Sequence, residues 1–184
     1  MRKALVWGLC SSLFFACNQK PTDDKTEAKA DSTASAPAKA QPAEFADPKY
    51  SEVGKKGLAA LSSGNIDSWM NDFADNAVWQ WNNGDSLAGK AAISSYWKKR
   101  RTEVIDSISF MNDIWLPIKV NQPQRMEQTG IWLLSWYQVS AKYKNGNRAG
   151  QWIHTDYHFD GSDKIDRVIQ YLDRAVINAA LKKK

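Results

Sequence analysis

Cysteine is nearly absent from this sequence, which limits how the protein can be stabilised. Only two cysteines occur among 184 residues, Cys10 and Cys17, and both lie near the N-terminus. A disulfide in the remainder of the chain is therefore excluded, so a folded domain there depends on its apolar core. The sequence also lacks an apolar run long enough for a permanent transmembrane helix, an internal repeat and a glycine-rich phosphate loop. These absences favour one ordinary globular domain over a repeat protein or a nucleotide-binding one.

The first 16 residues have the character of a targeting segment. Arg2 and Lys3 precede an apolar stretch over residues 4–15, which is too short to span a bilayer as a permanent helix. The small residue Ala16 stands directly before Cys17. This arrangement resembles a bacterial lipoprotein signal, and the resemblance implies cleavage before Cys17 and attachment of lipid, such as palmitate, to the cysteine. An ordinary secretory peptide or an uncleaved anchor is the alternative.

The same resemblance implies a location. A chain acylated at Cys17 has the lipid bilayer as a partner and is anchored in the cell envelope. Asn18, rather than Asp, follows the cysteine. By analogy with lipoprotein sorting, that residue indicates the outer membrane.

Residues 17–46 are predicted to be a disordered tether. They consist mainly of Ala, Lys, Asp, Ser, Thr and Pro, with Phe45 as the single aromatic. Such a segment cannot bury enough apolar surface to offset the entropy lost on ordering. A spacer between membrane and domain is therefore expected.

The positive charge does not predict a nucleic-acid partner. The formal net charge is +5, and basic runs occur at residues 98–101 and 182–184. For an exported domain, a solvated helix face and a charged tail explain such runs better than nucleic-acid binding.

Residues 47–184 are predicted to form one domain that opens with helices and ends with long strands. Asp47 and Pro48 suit a helix start. Apolar stripes predict helices at residues 47–63, 65–74 and 89–103, and strands at 77–81, 104–120, 131–144, 147–159 and 164–173. Between the two longest hairpin strands, Asn145-Gly146 predicts a two-residue type I′ turn.

This order of elements resembles the nuclear transport factor 2-like superfamily, which includes SnoaL-like polyketide cyclases and ketosteroid isomerases. The matching pieces are residues 64–69 (GNIDSW), 73–79 (FADNAVW), 87–93 (LAGKAAI), 159–165 (FDGSDKI) and 171–173 (YLD). The resemblance covers essentially all of residues 47–184. It implies an α+β fold, in which a curved antiparallel sheet forms a cone around the N-terminal helices and the open end holds an apolar pocket.

A two-residue turn would place Trp136 opposite Thr155 and Tyr137 opposite His154. The more apolar face would then carry Trp132, Trp136 and Tyr157, and the resemblance implies that this face lines the cone. A one-residue bulge would exchange the two faces. The predicted ligand-binding residues are aromatic: Trp81, Trp97, Trp132, Trp136, Tyr157 and Tyr171.

His154, Asp156 and His158 form the cluster with the most evident chemistry. A histidine beside a carboxylate can act as a general base with its orienting acid, so His154, Asp156 and Asp173 are the catalytic candidates. The two histidines lie four residues apart on one strand, about 13 Å, which is too far to share a metal ion. No metal site is predicted. A polar outer face or a subunit interface is the simpler interpretation of the cluster.

Two functions therefore compete. One is a lipid-anchored module whose cone binds a small, largely apolar ligand or a partner, without a cofactor. The other is a cyclase- or isomerase-type enzyme with a His/Asp acid–base pair in the cone, which requires one of the catalytic candidates to line the pocket. In either case the outer face of the sheet could support a homodimer. The unusual number of tryptophans favours ligand binding.

Overall fold

The computed structural model describes residues 41–123 and 129–182 of the chain. The predicted targeting segment, Cys17 and most of the predicted tether lie outside these residues. The strands are β1 Ala43–Phe45, β2 Phe73–Trp81, β3 Ser86–Ala88, β4 Ile105–Val120, β5 Gly130–Tyr143, β6 Arg148–Phe159 and β7 Ile165–Tyr171. The helices are α1 Lys49–Ser63, α2 Ile66–Met70, α3 Lys90–Lys99 and α4 Arg174–Leu181, and a π-helical turn, Arg100–Val104, continues α3. Within the described residues, no helix combines the length and apolar character needed to cross a membrane.

The seven strands form one curved, unclosed sheet in the order β1-β4-β5-β6-β7-β2-β3. Neighbouring strands are antiparallel except β2 and β7, which are parallel. The β4–β5 pairing is interrupted between Met111 and Ile114, where Asn112 has a φ of 53°. Such a bulge bends the strand and increases its twist. The predicted α+β class is confirmed.

The loop between β5 and β6 differs from the predicted turn. Gly146 has the expected positive φ, 86°, but Asn145 does not. The Tyr143 amide donates to the Asn147 carbonyl at 2.9 Å, so three residues rather than two form the loop. A three-residue loop with glycine in the left-handed conformation is a common alternative to the type I′ turn.

The longer loop shifts the β5–β6 register by one residue. Trp136 lies opposite His154, and Tyr137 lies opposite Ile153. Directly paired residues point to the same side of a sheet, so the predicted face of β6 is correct but that of β5 is wrong. We call the side that packs against the helices the inner face. In β5 and β6 it carries Leu133, Ser135, Tyr137, Ile153, Thr155, Tyr157 and Phe159, all buried.

The outer face is the opposite side of the sheet. Its members follow from the strand register: Phe45, Ile114, Leu116, Ile118, Trp132, Leu134, Trp136, Trp152, His154, Asp156, His158, Arg167, Ile169 and Tyr171.

The core lies between the helices and the inner face. Trp69 of α2 meets Trp79 edge-on at 5.7 Å between ring centroids, and Trp79 meets Trp97 of α3 at 5.3 Å. Helix α1 approaches closely through Gly57, where an added Cβ would lie 2.6 Å from the Trp69 indole nitrogen. A larger side chain there would collide with the Trp69 ring and move α1 away from α2.

Three elements were not predicted. β1 pairs with β4 inside the segment assigned to the tether, so the ordered domain begins before residue 47. β3 is short and pairs with β2. Helix α4 begins at the N-cap Asp173, whose carboxylate accepts a hydrogen bond from the Ala175 amide at 2.7 Å.

Candidate ligand-binding site

A cavity of about 140 Å³ lies between the inner face of the sheet, helices α1 to α3 and the C-terminal helix α4. Its wall is mostly aromatic and aliphatic, and includes Trp69, Trp79, Trp81, Trp97, Tyr96 and Phe110. Engineered apolar cavities of about 150 Å³ hold one benzene molecule. The cavity therefore has room for a group about as large as one aromatic ring.

A buried hydrogen-bond network interrupts this apolar wall. The Trp81 indole N–H donates to Gln170 Oε1 at 3.1 Å, and Gln170 Nε2 lies 3.4 Å from both Tyr137 Oη and Thr155 Oγ1. The Tyr137 and Thr155 hydroxyls are 2.8 Å apart. Because Trp81 fixes the amide of Gln170, its NH₂ group is directed at the Tyr137 and Thr155 oxygens.

Two tyrosines in this wall stay protonated. Burial raises the pKa of Tyr137, although its hydrogen bonds to Thr155 and Gln170 oppose the shift. The pKa of Tyr157 is raised well above its usual value, chiefly by burial and also by the adjacent Tyr137 hydroxyl. Neutral phenols in an apolar wall are hydrogen-bond donors, suited to a carbonyl or ether oxygen.

Two arginines are part of the cavity lining. Arg174 at the start of α4 is paired with Asp85 at 2.8 Å and lies over the Trp81 ring. Arg100, at the end of α3, lies 5.7 Å from the Tyr96 ring centroid. Among the described residues, no carboxylate forms an ion pair with Arg100.

The lining lacks an acid–base pair. It contains no Asp, Glu, His or Lys among residues 41–123 and 129–182. Tryptophan, Gln and Thr side chains and neutral tyrosines do not take up a proton near neutral pH, and arginine remains charged. The described part of the wall can therefore bind and orient a ligand, but it offers no general base.

The predicted ligand-binding residues divide into two groups. Trp81, Trp97 and Tyr157 line the cavity. Trp132, Trp136 and Tyr171 do not, because the register places them on the outer face. The error for Trp132 and Trp136 follows from the assumed two-residue turn.

The catalytic candidates lie outside the cavity. His154 is on the outer face, where its ring stacks on Trp136 at 4.6 Å and its Nδ1 lies 2.9 Å from the Ser135 carbonyl oxygen. Its Nε2 is 2.9 Å from Asp156 Oδ1, an ion-pair distance. The predicted His154–Asp156 proximity is present, but not in the cone.

Asp173 has a structural role. It caps α4 and lies beyond the end of β7, where Gln151 Oε1 accepts a hydrogen bond from its amide at 2.8 Å. The capping carboxylate satisfies a helix N–H that would otherwise lack an acceptor. Asp173 is not among the residues that line the cavity.

His158 pairs with Asp166, with 2.5 Å between Nδ1 and Oδ1. It is the second histidine of the sequence cluster and also lies on the outer face. In the described part of the chain, no three side chains of His, Cys, Asp or Glu converge as metal ligands.

Sequence reasoning missed several cavity residues. Tyr137 was assigned to the outer face by the register error, whereas Thr155, its hydrogen-bond partner, was correctly assigned to the inner face. Gln170 and Arg100 gave no local signal, since a single amide or arginine is common on any strand or helix. The α4 residues Ile177 and Leu181 were missed with their helix.

Helix α4 is held over the cavity by the β5–β6 loop. The side-chain amides of Asn145 and Asn147 each donate to the Ala180 carbonyl at 2.9 Å. These bonds satisfy carbonyls at the end of the helix that have no partner within it. The glycine-containing loop thus positions one boundary of the site.

The comparisons with known proteins bear on the fold. No protein-family model matches the chain, and no curated protein is similar to it in sequence. A proposed isomerase from Bacillus subtilis superposes with a TM-score of 0.57 at 19% identity, over 72% of this chain and 91% of that protein. A proposed polyketide cyclase from Xanthomonas campestris pv. campestris superposes with a TM-score of 0.57 at 15% identity, over 72% of this chain and 96% of that protein.

An NTF2-like protein of unknown function from Exiguobacterium sp. 255-15 gives a TM-score of 0.54 at 17% identity, over 66% of this chain and 98% of that protein. The chain has the nuclear transport factor 2-like fold. At these identities the similarity establishes the fold and leaves activity to be argued from the site.

Proposed function

We propose that this protein uses the cone of its nuclear transport factor 2-like fold to bind a small, largely apolar ligand that carries a hydrogen-bond-accepting oxygen. The observation that supports this most directly is the composition of the wall. Aromatic and aliphatic side chains surround protonated Tyr137 and Tyr157, and the described lining has no carboxylate or imidazole. An apolar pocket with a few convergent polar groups is typical of small-molecule binding.

Two further donors favour an acceptor on the ligand. The indole nitrogens of Trp79 and Trp97 are buried without a hydrogen-bond acceptor, and both rings belong to the cavity wall. An unpaired buried donor costs roughly 1–3 kcal/mol. A ligand oxygen that reached either indole would recover part of that cost.

An enzyme is the second candidate, favoured by the similarity of the fold to a proposed isomerase and a proposed polyketide cyclase. The version with His154 and Asp156 as an acid–base pair in the cone is not supported, because both lie on the outer face. Tyr137 and Tyr157 could stabilise negative charge on a carbonyl oxygen. Removal of a proton would need a base from outside the described lining, so binding without turnover is the better-supported function.

The binding proposal is tested with two probes of similar size, acetophenone and ethylbenzene. Isothermal titration calorimetry should show saturable binding of both, with acetophenone bound more tightly because its carbonyl accepts from the tyrosines. Tyr137→Phe should remove about 1 kcal/mol of that preference. Tyr171→Phe, on the outer face, is the matched control and should leave it intact.

Absence of saturable binding for either probe would contradict the proposal. Equal effects of Tyr137→Phe and Tyr171→Phe would show that binding occurs away from the cavity. Turnover is checked separately, by incubating the protein with a β,γ-unsaturated ketone and following its conversion to the conjugated isomer. Conversion that requires Tyr137 would favour the enzyme candidate.

We further propose that the domain is held at the outer membrane by lipid on Cys17. Support comes from the sequence alone: a short apolar run that ends in Ala16-Cys17, followed by Asn18. Cys17→Ser should move the protein from the membrane fraction to the soluble envelope fraction. A variant that remains in the membrane fraction, or a wild-type protein without acyl groups by mass spectrometry, would contradict this.

A further inference from the structure

The charged groups of the cavity lining are all of one sign. Arg100 and Arg174 are its only charged side chains among the described residues. Arg174 is neutralised by Asp85 at 2.8 Å. Arg100 has a tyrosine ring as its neighbour and, within residues 41–123 and 129–182, no carboxylate partner. One positive charge of the described lining therefore has no counter-charge there.

Arg100 is held in place by aromatic groups of the same wall. Its guanidinium lies over Tyr96, and its charge also acts on Tyr143, whose pKa is raised by burial and partly lowered again by Arg100. Both tyrosines line the cavity. A half-buried arginine fixed by stacking is suited to a carboxylate, which it can bind through two parallel hydrogen bonds.

We infer that the ligand is an amphipathic acid: an apolar body of about one ring, with an anionic end that meets Arg100. This inference rests on the proposed binding function and specifies its ligand class. The ring would lie among the tryptophans, and the carboxylate would supply the counter-charge that the described lining lacks. Neutral molecules of the same shape would bind without the contact to Arg100.

The test uses pairs of acids and their primary amides, phenylacetate with phenylacetamide and 3-phenylpropanoate with 3-phenylpropanamide. Isothermal titration calorimetry should show each acid bound about tenfold more tightly than its amide, since a hydrogen bond to a charged group contributes on the order of 1.5 kcal/mol. Arg100→Gln should abolish the preference while leaving amide binding unchanged. Arg148→Gln, an exposed arginine outside the lining, should preserve it.

The outcomes separate this inference from the function on which it rests. If amides and acids bind equally well, the inferred anionic group of the ligand is contradicted, but the proposed apolar binding site is not. If Arg148→Gln loses the preference for acids as Arg100→Gln does, the preference comes from the net charge of the domain. That result would overturn the specific role of Arg100. No saturable binding of any of the four probes would overturn both proposals.

Discussion

The inner and outer faces of one sheet are both aromatic, yet their aromatic side chains are used differently. On the inner face, Tyr137 and Tyr157 are fully buried and their hydroxyls belong to a hydrogen-bond network beside a cavity. On the outer face, Trp136 and Tyr171 stack with His154 and stay partly open to solvent. The same residue types thus form a closed pocket on one side and an open surface on the other.

The difference comes from what covers each face. Helices α1 to α3 close the inner face, so any polar atom there must find a partner or cost free energy. The outer face has no such cover among the described residues, although His158 and the Asp156 Oδ1 atom are buried there. A composition rich in tryptophan therefore does not identify a ligand site until the register assigns each ring to a face.

The largest expected difference between the faces concerns stability. Trp79 is 1% exposed and contacts Trp69, Phe73, Trp81 and Trp97. Trp79→Ala should lower the free energy of unfolding by about 3–5 kcal/mol, because it removes buried surface and leaves a void. Trp152→Ala should change it by less than about 0.5 kcal/mol. Urea denaturation at low protein concentration, where self-association is minimal, measures both.

If Trp79→Ala does not fold, Trp79→Phe gives a smaller loss in the same direction. Similar midpoints for the Trp79 and Trp152 variants would mean that the two faces do not differ in packing as described.

A second prediction tests the loop that sets which residues share a face. Gly146 has a φ of 86°, with nothing within 4 Å of an added Cβ, so strain rather than collision would oppose substitution. Gly146→Val should therefore cost about 1–3 kcal/mol. Gly161, in the β6–β7 turn, has no positive φ and equally open surroundings. Gly161→Val is the control and should leave the denaturation midpoint nearly unchanged.

An unchanged midpoint for Gly146→Val would contradict the loop geometry. If Gly146→Val folds but weakens binding in the cone, the loop also acts through α4, whose last carbonyls accept from Asn145 and Asn147.

The fold could be predicted because it rests on repeated patterns. Alternation along β6 identified Ile153, Thr155 and Tyr157 as one face. The architecture came from the resemblance of the order of helices and strands to the nuclear transport factor 2-like superfamily. Asn65 was correctly taken as the start of α2, where its side chain accepts from the Ser68 amide. These signals are local, and each is repeated over several residues.

The site could be predicted only in part, because it depends on register. One extra loop residue moved Trp132 and Trp136 out of the cone and brought Tyr137 in, and no local pattern distinguishes the two loops. Helix α4 was missed since residues 174–181 carry a short apolar stripe beside a basic tail. Arg100 could not be recognised because its importance comes from carboxylates that are absent from the described lining.

The smallest predicted effect concerns Asp156, a partly buried carboxyl of the outer face. Burial raises its pKa, although the nearby His154 lowers it in part. Such a carboxyl stabilises the folded state most when protonated, below its unfolded pKa of about 3.9, and this stabilisation is lost as pH rises through the higher folded pKa. Asp156→Asn does not titrate. The unfolding free energy of the variant minus that of wild type should therefore increase between about pH 3.5 and pH 6.

Asp163 supplies the opposite case. Hydrogen bonds from Lys49 and Tyr50 lower its pKa, so its stabilisation is present above the unfolded pKa and lost as pH falls through the folded one. The unfolding free energy of Asp163→Asn minus that of wild type should decrease as pH rises toward 6. Chemical denaturation of both variants and wild type across this range gives the two slopes. Slopes of equal sign would mean that burial does not govern Asp156, and that its ionised form is held by His154 as an ordinary ion pair.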